Sequence, residues 1–581
     1  MFKIIFIFII NQTSYFHREQ PYIVPPIEVS AKYPESFITS KGTSYMIDSI
    51  LLSTFKFDPY FLNLSYSPSL FVNSYGLPGY LQTGLFRGFS SLRTGVYIEG
   101  FKLNSRTSGS FNLSLLSGLP LSRVEILSSC SSLYGDNALG GVVNFKLERK
   151  KGFNIKGGAG NLRTTFFSGQ AGLNYSYFYY TAYTSIPPIP YLQNKDSHFS
   201  RFINLYEYKN LKSILFYSRN NIGNPINDTV RQNDETILTG IGFKNEYLNL
   251  GYQYKKDEIE SIFSKSSSKQ WNVSSRFLGD IFLNTENFKV RAGFEYEREY
   301  LKGNGFENID PKDERLYPYF TSEIFLNQIV PYFEGGRELK GVFKTKGPFV
   351  YRGGLLILSE EGSIYFNYSK GFRVPTLLDL YYPFDGWAKG NPDLEPEVSR
   401  EIEGGLKALS SNLLFVLSYF KRELDKGIIW SPDKDFIYTP QNIEKIKIQG
   451  LESLLNYELQ NFLVSINFIL FRERKKIEMG KSENLLIVPT YTLTFLTGFS
   501  FKDFTFNYRI RFLGSHMSLT PNFSKEEVKS AHFNDLSFYY NVGKNLNISL
   551  IVTNLDNRFY EIQIGYPIER RRVYVFAESN F

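Results

Sequence analysis

Two groups of charged residues, far apart in the sequence, have the types and spacing to form ion pairs between distant parts of the chain. The candidates near the N-terminus are Arg87, Arg93 and Glu125. The candidates in the second half of the chain are Glu397, Glu401 and Glu403. Charges of opposite sign can pair across a fold, so these residues are candidates for a lock between the two parts of the chain. The alternative is that each residue is an ordinary solvated charge.

The remaining reactive residues do not indicate an enzyme or a resident metal. Cys130 is the only cysteine, which excludes an intrachain disulfide and a thiolate metal cluster. The four histidines are His17, His198, His516 and His532. Asp310 and Asp313 supply two carboxylates, whereas a calcium site needs about six to eight oxygens. The sequence therefore predicts no catalytic residues, no metal and no cofactor.

Composition limits the class of protein further. The 581 residues have a formal net charge of +8, and the lysines and arginines are scattered among 57 acidic residues, which argues against nucleic-acid binding. Aromatic content is 17%, yet mean hydropathy is only −0.23. The apolar run 4–10 is much shorter than the roughly 18 residues of a membrane-spanning helix. Membrane strands remain compatible with this average, because they alternate apolar and polar residues.

The first 150 residues are predicted to form three parts. Lys3 followed by the apolar run 4–10 predicts a signal peptide within 1–20, with an uncertain cleavage site; the alternatives are a buried strand or a mistaken start. Residues 21–40 are predicted to be extended, because Pro25 and Pro26 disfavour a helix. Residues 41–150 are predicted to form a compact α+β domain, in which SYMIDSILLSTF is a short helix.

The pattern of hydrophobicity changes near residue 152, where segments of nine to twelve residues begin to alternate apolar and polar side chains. In SIYFNYSK, Ile364, Phe366 and Tyr368 share one face of a predicted strand. About 22 such segments fit residues 151–581 and predict an all-β transmembrane barrel of antiparallel strands. A barrel of this size has a lumen too wide for its own side chains to fill, so the preceding domain is predicted to be a plug. The alternative, a soluble propeller, lacks the expected repeat of about 40 to 50 residues.

Several motifs, in order, resemble those of the TonB-dependent outer-membrane receptors, in particular the compact cobalamin transporters and small siderophore receptors. IEVSAK is similar to the TonB box, and LFRGFSSLRTGVYIEGFKLN and SSLYGDNALGGVVNF are similar to plug motifs. FRVPTLLDL and GNPDLEPEVSREIEGGL are similar to the mid-barrel signature, and IVTNLDNRFYE with Phe581 to the end of the barrel. The resemblance implies a bacterial outer-membrane protein.

The resemblance implies two binding segments. Ile27, Glu28, Val29, Ser30 and Ala31 would form the TonB box, which pairs with TonB by adding a strand to its sheet; the alternative is an idle linker. In the loop 103–113, the residues that match a substrate-contacting plug apex are Asn104, Ser108, Gly109 and Ser110. The ligand implied for this apex is cobalamin or a ferric siderophore, and the alternative is a surface loop without a special role.

The chain also departs from the family pattern. Ser128, Ser129 and Cys130 stand where the family usually has Arg-Gly-Pro, so an arginine that helps to lock plug to barrel is missing. Arg87 and Arg123 are the candidate substitutes. The basic run 570–572 is predicted to lie near the outer leaflet, where lipopolysaccharide phosphates would attract it.

The resulting prediction is energised uptake of a large, scarce ligand by a monomeric receptor. The alternative from another class is a passive porin or a surface-adhesin barrel. A haem receptor is a lesser alternative, because the segment TLLDLYYPFDGWAKG contains no histidine.

Overall fold

A computed structural model describes residues 41–581 apart from 57–61, 76–78, 137, 162, 186–196, 224–230, 264–265, 307–308, 340–346, 411, 479, 521–523, 544 and 569. Among these residues, no helix has both the length and the apolar character to cross a bilayer.

The N-terminal region is a small α+β domain, the plug. Its helix is α1 (Ser49–Thr54), and its strands are β1 (Ser44–Ile47), β2 (Leu70–Ser74), β3 (Gln82–Phe86), β4 (Thr94–Ile98), β5 (Phe101–Lys102), β6 (Leu121–Leu127) and β7 (Gly141–Leu147). Its 3₁₀ turns are Leu62–Tyr66, Ser91–Arg93, Leu113–Leu116 and Ser132–Tyr134. The main sheet has the order β1-β6-β7-β4-β5, in which β4 and β7 are parallel, and β2 pairs with β3.

The predicted helix over SYMIDSILLSTF is only half right. Residues 44–47 form strand β1 against β6, and the helix begins after Asp48, whose side chain accepts a hydrogen bond from the Leu51 amide. This cap fixes the start of α1, because it satisfies an amide that has no partner within the helix. Leu51 is buried as expected, whereas Ile50 is exposed.

The rest of the chain forms a closed antiparallel barrel. Its strands are β8 (Gly152–Gly160), β9 (Thr164–Leu173), β10 (Ser176–Ser185), β11 (Ser197–Tyr208), β12 (Leu211–Gly223), β13 (Arg231–Lys244), β14 (Leu248–Phe263), β15 (Ser266–Asn284), β16 (Phe288–Gly303), β17 (Lys312–Ile324), β18 (Ile329–Arg337), β19 (Phe349–Ser359), β20 (Gly362–Arg373), β21 (Glu397–Leu409), β22 (Leu413–Pro432), β23 (Tyr438–Leu459), β24 (Phe462–Glu478), β26 (Tyr491–Phe501), β27 (Phe504–Leu513), β30 (Ala531–Val542), β31 (Leu546–Thr553) and β34 (Arg572–Asn580). The last strand, β34, pairs with β8 and closes the wall.

The shorter elements lie in the connections between wall strands. They are helix α2 (Leu377–Tyr381) and strands β25 (Lys481–Asn484), β28 (His516–Leu519), β29 (Lys525–Val528), β32 (Tyr560–Gln563) and β33 (Tyr566–Ile568). Strand β25 pairs only with the outer end of β24, so the wall traced by the described residues has 22 strands. The predicted barrel of about 22 strands with an N-terminal plug is confirmed.

The two ends of the barrel differ in their connections. At one end, turns of two to four residues join neighbouring strands, and the chain enters at Gly152 and leaves at Asn580. At the other end, the longest connections are 374–396, 514–530 and 554–571. Short turns face the periplasm in bacterial outer-membrane barrels, so the long connections face the cell exterior.

The wall has the two faces that the period-two pattern predicts. On β20, the side chains of Ile364 and Phe366 are 60% and 55% exposed, whereas those of the alternate residues Tyr365 and Asn367 are buried on the lumen side, towards the plug. Apolar side chains therefore face the lipid, and polar side chains line the lumen.

Candidate functional site at the plug and barrel interface

Arg87 of the plug lies among three glutamates of the barrel wall. Its guanidinium donates to Glu401 at 2.9 Å, to Glu403 at 2.7 Å and, through Nε, to Glu452 at 3.0 Å. All four side chains are almost fully buried, and the Phe420 ring lies 4.4 Å from the guanidinium carbon. We call Arg87 and its three glutamates the Arg87 cluster. The structure thus brings together Arg87 and Glu401, which the sequence analysis named, and adds Glu452, which it missed.

A barrel arginine extends this cluster towards the segment where the family's plug arginine is missing. Arg422, on β22, forms an ion pair with Glu401, with 2.8 Å between Nε and the carboxylate, and donates a hydrogen bond to the carbonyl of Gly140 at 3.0 Å. It also donates to the carbonyl of Ser128. In this chain the guanidinium beside residues 128–130 therefore comes from the wall rather than from the plug.

The first described residues of the plug are attached to the same cluster. The Thr43 amide donates to Glu403 at 3.3 Å, and the Thr43 hydroxyl donates to Glu403 and to Ser418. Two residues earlier, the Lys41 ammonium lies 2.5 Å from Glu323, next to a periplasmic turn. Residue 41 therefore lies at the periplasmic end of the barrel, and Thr43, two residues later, is bonded to a carboxylate that also holds Arg87.

Arg93 forms a second ionic contact with the wall. It donates to both oxygens of Glu397, at 2.9 and 2.8 Å, and to Glu444 at 2.9 Å. Arg373 of β20 also donates to Glu397, at 2.7 Å. Glu397 thus links plug and wall by a two-point contact of fixed geometry.

Glu125, the third plug charge named from the sequence, is held inside the plug. It accepts from Arg123 at 2.6 Å and from Asn144 at 2.9 Å, both on plug strands. Arg123 therefore lies with Glu125 and not in the position of the missing plug arginine.

A further contact, not predicted from the sequence, lies at the turn after Tyr134. Asp136 is buried 2.7 Å from Arg315 of β17 and 3.2 Å from Lys102 of the plug. Burial alone would raise the pKa of Asp136, but Arg315 and Lys102 outweigh it and hold the pKa well below its usual range. The available signal was the motif itself, since Asp136 directly follows the Leu-Tyr-Gly turn of a recognised plug motif.

Glu99 is a second missed contact. It is fully buried beside the plug glycine Gly100 and lies 2.6 Å from Lys212 of the wall. It also accepts from Arg149 at 2.7 Å and from the Leu147 amide at 2.6 Å. These contacts fix the end of β7, where the plug chain leaves for the first wall strand.

The predicted apical loop lies at the extracellular end. The Leu377 amide, at the start of α2, donates to the carbonyl of Arg106 at 2.8 Å, and Ser105 donates to Glu299 of β16 at 3.0 Å. Asn104 is buried: its side chain accepts from the Val96 amide at 2.6 Å and donates to the Thr94 carbonyl at 2.9 Å. Asn104 thus shapes the loop from below, and its side chain is already engaged.

Ser108, Gly109 and Ser110 form the tip of this loop. The Ser108 hydroxyl is 3.4 Å from the Ser110 carbonyl, and both serines are partly exposed. Gly109 has a φ of +74°, and a Cβ there would lie 2.9 Å from Cγ2 of Thr376. Only glycine fits this position without strain, because the backbone is left-handed and the adjacent connection is close.

The structure bears differently on the predicted TonB box, on metal binding and on the basic run 570–572. The TonB box, residues 27–31, lies outside the described residues. Within the described residues, no group of three or more His, Cys, Asp or Glu side chains is arranged to hold a metal ion. The basic run 570–572 is divided between two faces, since Arg570 and Arg571 are exposed whereas Arg572 is buried on the lumen side.

The comparisons with known proteins agree with this architecture. The family model described as "TonB dependent receptor-like, beta-barrel" matches residues 86–555. The vitamin B12 transporter BtuB of Vibrio vulnificus (strain YJ016) is 23% identical over 433 residues, which are 66% of this chain and 68% of the relative. The vitamin B12 transporter BtuB of Photobacterium profundum is 21% identical over 531 residues, which are 85% of each chain.

Among solved structures, the siderophore receptor PirA from Acinetobacter baumannii has a TM-score of 0.73 at 13% identity, covering 93% of this chain and 98% of that one. The family model spans most of the chain, and the closed barrel with its plug agrees with it. The chain therefore belongs to the TonB-dependent receptors, barrel proteins of the bacterial outer membrane, which confirms the resemblance found in its motifs.

Proposed function

We propose that this protein actively transports cobalamin or a ferric siderophore across the outer membrane, with energy supplied by TonB. The observation that carries the proposal is the plug. Its apical loop meets the extracellular connections, and Lys41 lies at the periplasmic mouth. The relatives named as vitamin B12 transporters and as a siderophore receptor support these two ligand classes.

The proposed cycle has three steps and no covalent chemistry. The ligand first binds the extracellular loops and the apex at Ser108, Gly109 and Ser110, where the two partly exposed serine hydroxyls can form hydrogen bonds with it. The segment 27–31 then pairs with TonB in the periplasm by strand addition. TonB finally pulls the chain that continues at Lys41, and the buried ion pairs of the plug give way so that the ligand passes.

The alternatives, a passive porin or an adhesin, agree less well with the contacts inside the barrel. Arg87, Arg93, Glu99 and Asp136 all bond to wall residues in places that water does not reach. A plug held by several buried ion pairs blocks free diffusion, and opening it requires work. The outer membrane has no nucleotide or ion gradient to supply that work, so we propose TonB as its source.

Three further features complete the proposal. The receptor acts as a monomer, because a single closed wall encloses the whole pathway. Its other partner is the surrounding outer-membrane lipid, including lipopolysaccharide. Its role is transport, with no catalytic residues.

Deletion of residues 21–32 tests the energised step. In cells, the deletion should abolish uptake of labelled cobalamin or ferric siderophore while binding at the cell surface persists. Val29→Pro should act like the deletion, because proline removes an amide that strand addition needs, and Val29→Ile is the matched control that should transport normally. Unchanged uptake in the deletion would contradict the proposal.

The ligand is identified by a binding screen with purified protein. Cobalamin, several ferric siderophores and haem are compared by calorimetry with the wild-type chain and with Ser108→Ala/Ser110→Ala. We expect one cobalamin or siderophore ligand to bind at micromolar or tighter affinity and to bind the double variant more weakly. Binding of haem alone would replace the proposed ligand class.

A further inference from the structure

The lipid-facing side of five neighbouring strands carries a continuous row of charged residues just outside the apolar belt. Pairing across β20 to β24 aligns Lys370 with Arg400, Arg400 with Glu423, Glu423 with Lys447, and Lys447 with Lys475. Directly paired residues point to the same face of a sheet. Their sequence neighbours Glu401, Arg422 and Ile448 are buried on the lumen side, so the row faces outward. We call these five residues the outer row.

The position of the outer row is set by the apolar residues below it. On β20, Ile364 and Phe366 face outward before Lys370, and on β21 the outward residue next to Arg400 is the exposed Ile402. Tyr419, Leu451 and Leu470 continue this belt on the next three strands. The outward residues of these strands change from apolar to charged in the direction of the extracellular end, so the row marks the extracellular edge of the apolar belt.

The charge of this face is net positive. The cations of the outer row and of the positions beside it are Lys370, Arg400, Lys421, Lys445, Lys447 and Lys475. The carboxylates on the same face are Glu423, Asp425 and Glu473. Asp425 accepts from Arg400 at 2.9 Å and lies 3.8 Å from Lys445, and Glu423 lies 3.2 Å from Lys421. Lys370, Lys447 and Lys475 have no ion-pair or hydrogen-bond partner in the described part of the chain.

A cavity of about 820 Å³ opens directly above the outer row. Lys370, Arg400 and Lys445 line its lower side, and residues 392–396 of the long connection before β21 cover it from outside. Asp393 and Glu395 also line it, so it offers hydrogen-bond acceptors as well as cations. An apolar belt, a row of cations and a polar cavity therefore follow one another outward along the same strands.

We propose that this face binds the bisphosphorylated glucosamine headgroup of lipid A, with one phosphate at the adjacent Lys447 and Lys475, the other at Lys370, and sugar hydroxyls in the cavity. Acyl chains would lie along the belt below, where Ile402 and Leu451 face the hydrocarbon layer. The exposed pair Arg570 and Arg571, which the sequence suggested for this role, lies on a different part of the barrel, beside β34. The inference rests on the outer-membrane location and is independent of the transport cycle.

Purified protein in detergent is incubated with bisphosphorylated lipid A, dephosphorylated lipid A or phosphatidylglycerol, and bound lipid is counted by native mass spectrometry. Bisphosphorylated lipid A should bind to the wild-type protein, and Lys370→Gln/Lys447→Gln/Lys475→Gln should weaken this binding by about tenfold or more. Arg570→Gln/Arg571→Gln is the matched control and should bind normally. Salt should weaken the wild-type interaction, since screening acts on exposed charges.

Equal binding of lipid A by the triple variant, or an equal loss in the control, would overturn the inference. Preference for phosphatidylglycerol or for dephosphorylated lipid A would also overturn it. Heat-modifiable mobility on gels checks that each barrel is folded, and the salt titration on wild-type protein decides the question if the triple variant does not fold. The triple variant should keep energised uptake, and deletion of 21–32 should keep lipid A binding, so failure of either proposal is recognised separately.

Discussion

Replacement of Arg87 by glutamine should loosen the plug more than any other single change at the interface. The side chain is fully buried and donates to Glu401, Glu403 and Glu452. After the change, Glu401 keeps Arg422 at 2.8 Å and Glu403 keeps Asn367 at 2.8 Å. The wall is left with buried negative charge that is only partly compensated, and breaking a buried pair in this way costs about 3–5 kcal/mol.

This cost appears as a larger population of open plug. A loss of about 3–5 kcal/mol corresponds to a roughly 10²- to 10⁴-fold increase in the open fraction. Hydrogen exchange with mass spectrometry, in detergent micelles at pH 7, reports this fraction through the amides of β4 and β7. Arg123→Gln is the matched control: its side chain is 25% exposed, and its single partner Glu125 keeps the hydrogen bond from Asn144 at 2.9 Å, so the free energy of plug opening should change by about 1 kcal/mol or less.

A double-mutant cycle separates loss of pairing from general damage. Glu452→Gln removes the carboxylate that accepts the hydrogen bond from Arg87 Nε. The free energy lost in the double variant should therefore be smaller, by about 1–3 kcal/mol, than the sum of the losses in the two single variants. The reasoning is refuted if Arg87→Gln exchanges like Arg123→Gln, or if the cycle gives no coupling.

Three further outcomes are expected. Burial raises the pKa of Cys130 to about 12. Iodoacetamide should therefore label this thiol at pH 8 at least about a thousandfold more slowly than in the unfolded chain. Rapid labelling of the folded protein would contradict its buried position. Gly109→Ala should strain the left-handed backbone of the apex by about 1–2 kcal/mol and weaken ligand binding, whereas Ser108→Ala should weaken it less. Both affinities are measured by calorimetry. The opposite ranking would contradict the proposal that this apex binds the ligand. Asp136 has a folded pKa below its unfolded value of about 3.9, so its stabilisation is complete above that value and is lost as pH falls through the folded pKa. Asp136→Asn should therefore lower plug protection at pH 7 and flatten its decline in acid, as measured by hydrogen exchange, and a variant with the wild-type acid profile would exclude this role.

The wall could be predicted from sequence because its signal is local. Each strand shows its two faces within about ten residues, as in Ile364, Tyr365, Phe366 and Asn367, and the strand count follows from repetition. Arg87 and Arg93 were recognised as candidates because they lie in plug motifs. Asp136 was missed although it lies in such a motif, because its partner Arg315 is on a strand that only the closed barrel brings near.

The choice of partners depends on strand register, which the local pattern does not fix. Glu452 meets Arg87 because it pairs with Ser418 of β22, whose partner on β21 is Gly405, two residues from Glu403 and on the same face. A shift of one residue would turn Glu452 towards the lipid. The same reasoning accounts for the divided basic run, since consecutive residues such as Arg571 and Arg572 must point to opposite faces.

The attachment of Thr43 to Glu403 has a mechanical consequence. Under the proposed cycle, tension arriving from the periplasm loads Lys41 and Thr43 before it reaches any strand of the main plug sheet. The Lys41–Glu323 pair is loaded first, and the next contact is the bond from Thr43 to Glu403, which shares its carboxylate with Arg87. The pull is therefore delivered beside the Arg87 cluster, which is stressed before the separate plug–wall contacts of Arg93, Glu99 and Asp136.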